Sequence, residues 1–251
     1  DLMEVGFAAL ARLGEPGVVA AAGYLGSADE KNRLCIIKHL AAVDIPAAQT
    51  AVTDAFGDRS PKVRLAAAQG LAARDATDHR LSALFHDEEP LVRAEVAVLC
   101  GKHFPDRLLR LLTDPSDEVQ RAAMTVLAES PGCLDAGAVV HVLTETLTGD
   151  GSNAAAAAQA LAAVAPDTAF GPIARLATDQ RKSTQAREEA LKALLNLGDS
   201  SRVQVVAGLV ADDERSIRLQ ALAGLARMAG AEKEDRAVAS LLAALRGELV
   251  P

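Results

Sequence analysis

The chain is 251 residues long and half hydrophobic, yet only 2% of it is aromatic and none is Trp. The apolar mass is Ala, Leu and Val, which suits closely packed helices and argues against a sheet of aromatic and β-branched residues. A net charge of −8 argues against a nucleic-acid partner. The three cysteines (Cys35, Cys100 and Cys133) lack the paired spacing of a disulfide framework.

In chain order, the first predicted helix carries Leu2, Val5, Phe7 and Leu10 on an apolar face. The second reads Asn32-Arg33…Ile36…His39-Leu40, and a shorter amphipathic segment, Ala47–Phe56, follows it. The stretch from Asp58 to Leu71 then sets a pattern of Asp, Val-Arg at Val63-Arg64, two small residues and Leu. It returns from Asp87 through Val92-Arg93 to Leu99-Cys100, with the segment Asp106–Leu112 after it. It returns again from Asp114 through Val119-Gln120 to Leu127, followed by Gly137–Leu147. Asn153-Ala154…Leu161 is a weaker copy, and Ala186-Arg187…Leu194 fits without a leading Asp. After Arg202–Val210 the pattern closes with Asp212…Ile217-Arg218…Leu225, and a last amphipathic segment is predicted at Asp235–Leu249.

The final positions of the copies are 10, 40, 71, 100, 127, 161, 194 and 225, spaced by 27 to 34 residues. A phase held across the whole chain marks a repeat protein in which each unit is two helices. Turn signals such as Gly57-Asp58, Asp114-Pro115 and Ser130-Pro131-Gly132 separate the elements. The repeated Asp is expected to cap the helix that follows it.

The Asp-x-x-x-x-Val-Arg motif with trailing Ala and Leu resembles the HEAT repeat, especially its short bacterial, lyase-like form. The resemblance covers nearly the full chain. It implies an all-α fold, a right-handed α-solenoid of about seven to eight HEAT-like hairpins, as one domain over residues 1–251 that belongs to a longer chain. It also implies a protein-binding concave face. Other members of the family resemblance are poorer fits. None of the five histidines is followed by Glu, as iron-binding deoxyhypusine hydroxylases require, and the aromatic, basic face of HEAT-like DNA glycosylases is missing. A phycobilin-lyase-like HEAT protein, or an accessory subunit of an enzyme, remains the alternative.

Two sets of residues follow from the pattern. Arg33, Arg64, Arg93, Arg187 and Arg218 recur with Asp58, Asp87, Asp114 and Asp212, so an internal ladder of ion pairs is expected, interrupted at Gln120 and Ala154. The competing reading is a row of guanidinium forks for an acidic or phosphorylated peptide. The face of the motif helices turned from the core carries Leu34, Lys38, Leu65, Gln69, Val98, Arg121, Met124, Gln159 and Lys192. An apolar groove dotted with cations suits an amphipathic partner helix. The alanine run near Ala154–Gln159 is expected to change curvature locally or to leave a pocket. The Cys35–His39 and Cys100–His103 pairs fall too far apart for one zinc ion.

The sequence therefore predicts a cytoplasmic, non-catalytic adaptor for a protein or peptide. It predicts no cofactor, no metal, no nucleic acid and no membrane span.

Overall fold

A computed structural model describes residues 2–26, 29–148, 152–197, 201–230, 238–240 and 242. Among them every regular element is a helix. Packing divides the chain into two compact units, residues 1–123 and 124–251. In chain order the α-helices are α1 (Leu2–Arg12), α2 (Glu15–Gly23), α3 (Glu30–Ala41), α4 (Pro46–Asp54), α5 (Pro61–Arg74), α6 (Pro90–Cys100), α7 (Pro105–Leu111) and α8 (Asp117–Glu129). They continue as α9 (Ala136–Thr148), α10 (Ala154–Val164), α11 (Pro166–Thr178), α12 (Thr184–Asn196), α13 (Arg202–Gly208) and α14 (Arg215–Gly230).

The repeat pattern falls on α1, α3, α5, α6, α8, α10, α12 and α14, so each marked position lies in a helix. These motif helices alternate with outer helices, giving an all-α, HEAT-like solenoid of helical hairpins. The segment Asp235–Leu249 lies largely outside the described residues. One outer element was not legible in the sequence: His79–His86 forms 3-10 turns in place of an α-helix. It is tied down by Arg80, which pairs with Asp78 and donates to Thr53 Oγ1 of α4 at 3.0 Å. The Arg80 hydrogen bonds hold the Asp78 carboxyl at about 2.

Within the first unit α1 packs on α3, α3 on α5 and α5 on α6; within the second, α10 packs on α12 and α12 on α14. The interior of the first unit is built from one aliphatic residue per turn, such as Ile36 and Leu40 of α3 and Val63, Ala67 and Leu71 of α5. Small residues set how closely the motif helices approach. A Cβ added at Gly70 would stand 2.2 Å from the Ala41 Cβ, and one at Gly224 would stand 2.5 Å from a Leu195 methyl. Both glycines lie six residues after the repeat's Arg, so α3–α5 and α12–α14 meet through the same repeat position.

The alanine helix α10 is packed by the same logic. Ala154, Ala157, Ala158 and Ala160 are buried, and α10 lies against α9, α11 and α12. The small side chains at these positions are covered by the neighbouring helices.

Candidate functional site

The Asp–Arg pattern produces two linked devices. First, each repeat Asp closes its own turn: Asp58, Asp87, Asp114 and Asp212 accept the amide two residues on, at 2.8, 2.9, 2.9 and 3.0 Å. The expected helix cap is replaced by this turn because α5, α6, α8 and α14 each begin three residues after the Asp. Second, Arg33, Arg64, Arg93 and Arg187 each reach forward to the Asp of the next repeat. Arg33 grips Asp58 through two bonds of 2.7 and 2.9 Å, Arg64 grips Asp87 at 2.7 and 2.7 Å, and Arg93 grips Asp114 at 2.8 and 2.8 Å. In the second unit Arg187 pairs with Asp212.

The third guanidinium nitrogen points back to the repeat's own turn. Arg64, Arg93 and Arg218 donate to the carbonyls of Asp58, Asp87 and Asp212 at 2.8, 2.7 and 2.7 Å. One Arg therefore joins two successive loops. Gln120 keeps the backward half, donating to the Asp114 carbonyl at 2.8 Å, but brings no charge. Burial pushes the Asp58 and Asp114 carboxyls up. Hydrogen bonds from Arg33 and Arg93, and from the amides of Ser60 and Ser116, outweigh it, so both lie below the usual carboxylate range.

The interruption at Ala154 has a counterpart downstream. Arg33 and Arg187 each reach an Asp 25 residues on, and the residue 25 after Ala154 is Asp179. With no Arg reaching forward, Asp179 is gripped by its neighbour Arg181 through two bonds of 2.9 Å and closes the same kind of turn with the Arg181 amide. Those bonds hold its carboxyl at about 2. Asp179 is thus the leading Asp that the sequence pattern lacked, displaced by two extra residues before Arg187.

The solvent-facing row of the motif helices lies five residues after the Arg slot. Lys38, Gln69 and Val98 of the first unit, and Gln159 and Lys192 of the second, are all exposed there; Arg121, one residue after the slot on α8, is exposed outside this row. Leu34 and Leu65 are half-buried. Met124 is a correction: its side chain is fully buried. It sits one position before the exposed row, at a level where Ile37, Ala68, Ala97, Ala158 and Leu191 are also buried. Residues at this level fill the space between stacked helices, so the face is a mixed polar and apolar row and less greasy than the sequence implied. In the second unit, Gln159 donates to Glu189 at 3.0 Å and Lys192 pairs with the same Glu189. The largest apolar exposure in the row is Val98, 57% accessible, with Leu91 at 46% on the same helix.

Among the described residues no group of three or more His, Cys, Asp or Glu side chains is placed to hold a metal ion. Cys100 is buried, its thiol donates to the Val96 carbonyl at 3.3 Å, and burial pushes its pKa up to about 12. No helix among the described residues is long and apolar enough to cross a membrane.

This architecture is similar to that of solved structures. YibA of Escherichia coli aligns with a TM-score of 0.62 at 18% identity, over 86% of this chain and 83% of that one. An engineered protein aligns with a TM-score of 0.51 at 20% identity, over 95% and 73%. The complex of CpcE and CpcF of phycocyanin lyase from Nostoc sp. PCC7120 aligns at 21% identity over 91% and 93%, with a TM-score of 0.45 that is too loose to bear on function. No protein-family model and no curated protein sequence matches the chain. The hairpins and the first two likenesses show a HEAT-like helical-repeat fold.

Proposed function

We propose that this chain is a non-catalytic scaffold that binds a segment of another protein along its motif helices. The observation that carries the reading is the contrast between two rows on the same helices. The ladder uses Arg and Asp over and over, whereas the exposed row changes from Lys38 to Gln69 to Val98 along the first unit. Repeated residues hold the frame, and varied exposed ones on a regular scaffold are the means by which solenoids distinguish partners. Stacked helices lie about 8–10 Å apart. An amphipathic helix laid across α3, α5 and α6 would meet a cation, an amide and an apolar anchor in turn.

Affinity capture from native lysate tests this, comparing wild type with a Lys38→Glu, Val98→Glu variant whose fold is checked by circular dichroism. A partner held by wild type and lost by the variant supports the reading. A partner held equally by both moves binding to the outer helices. Capture of no protein, together with an absorbance shift on adding a linear tetrapyrrole, would replace the scaffold reading with a lyase-like one.

A further inference from the structure

A second candidate site lies on the outer helices of the first unit, independent of the docking row. A cleft of about 410 Å³ opens between the end of the 3-10 segment and α7, lined by Phe85, His86, Arg93, Arg107, Arg110 and Asp114 among others. Its carboxylates are already engaged, Asp114 by Arg93 and Asp87 by Arg64. Neither Arg107 nor Arg110 is paired with a carboxylate among the described residues. Arg107 bonds through Nη1 to Nε2 of His86 at 3.0 Å, and Arg110 makes no side-chain hydrogen bond or ion pair among the described residues. A guanidinium only donates, so Arg107 is the donor in this contact.

The placement of Arg107 is not explained by the helix it sits on. Arg110, in the last turn of α7, complements the negative end of the helix dipole. Arg107 is the third residue of α7, at the positive end, where a cation is disfavoured. Asp106, its immediate neighbour, is exposed and makes no ion pair with it. Two guanidiniums three residues apart share one side of a helix. With His86 they line one cleft in a chain whose net charge is −8.

We infer that the His86–Arg107–Arg110 cleft binds a phosphate dianion, either free phosphate or a phosphorylated side chain. Two planar guanidiniums match the charge and the several acceptor oxygens of such a group. The Arg107 bond to His86 is the contact that the anion would take over.

The test is a titration of the 15N-labelled 251-residue chain with inorganic phosphate at constant ionic strength, followed by amide shifts. Saturable shifts confined to His86 and to α7 are expected. The half-saturation point should rise about tenfold in an Arg107→Gln, Arg110→Gln variant, as loss of charge-assisted hydrogen bonds implies. It should be unchanged in Arg215→Gln, an exposed arginine on α14. Linear, unsaturable shifts, or an equal response from the double variant, would overturn the site. Equal saturation by acetate would overturn the assignment to a dianion. A phosphoserine peptide binding well above inorganic phosphate would assign the group to a modified protein, and equal binding would assign free phosphate.

Discussion

Replacing Asp87 with Asn is the sharpest perturbation of the ladder. Asn keeps an oxygen where Asp87 accepts the Glu89 amide at 2.9 Å, so the turn survives. It removes the negative charge facing Arg64, whose side chain and that of Asp87 are each only 5% exposed. The guanidinium would then be buried with its bond to the Asp58 carbonyl and, as countercharge, only the solvent-exposed Glu88 at 3.7 Å. Stranding one member of a buried pair costs about 3–5 kcal/mol. Replacing both members, Arg64→Met with Asp87→Leu, removes the charge and fills the space, and should cost about 2 kcal/mol less than the sum of the single changes. Urea unfolding at neutral pH gives the total. Hydrogen exchange shows whether the loss falls on α5 and α6, as expected for repeats that contact only their neighbours. An Asp87→Asn cost below about 1 kcal/mol, typical of a solvent-screened pair, would refute the reasoning, as would strict additivity in the double variant.

Other outcomes follow from the same packing. Gly70→Ala forces a methyl onto Ala41 and should cost about 1–3 kcal/mol, relieved in part by Ala41→Gly; Gly6→Ala, with nothing within 4 Å of the new Cβ, should be neutral or slightly stabilising by thermal melt. The Asp58 and Asp114 carboxyls titrate lower folded than unfolded, so their contribution is complete above the unfolded value of about 4 and is lost as pH falls through the folded values. Stability measured from pH 5 to pH 2 should therefore fall, and this fall should shrink in Arg33→Met and Arg93→Met variants. Arg181→Ala should return the Asp179 carboxyl from about 2 toward the ordinary carboxylate value, read by NMR titration.

The sequence made some of this legible and hid the rest for definable reasons. Motif helices were readable because Val, small residues and Leu recur with the Asp and Arg at fixed offsets. Co-occurrence of Asp and Arg, however, does not say which Asp an Arg meets. The structure sends Arg64 forward to Asp87, and its own Asp58 offers only a carbonyl. The 3-10 segment at His79–His86 was invisible because eight residues of tighter helix carry no 3.6-residue signature. Met124 was misplaced because a helix inside a stack is covered on three sides, and a one-residue step of about 100° separates the exposed row from the inter-helix space. The His86–Arg107 pair was missed because its members lie 21 residues apart on two outer segments, with no repeat to flag them.

The proposal of a protein-docking row is tested most directly by placing a photo-crosslinking amino acid at Val98 of α6 and, in a separate chain, at Thr50 of the outer helix α4. Both positions are exposed. Irradiation in cells should yield a discrete crosslinked species from position 98 and none from position 50. A product from position 50 alone would contradict the account and move the partner to the outer helices.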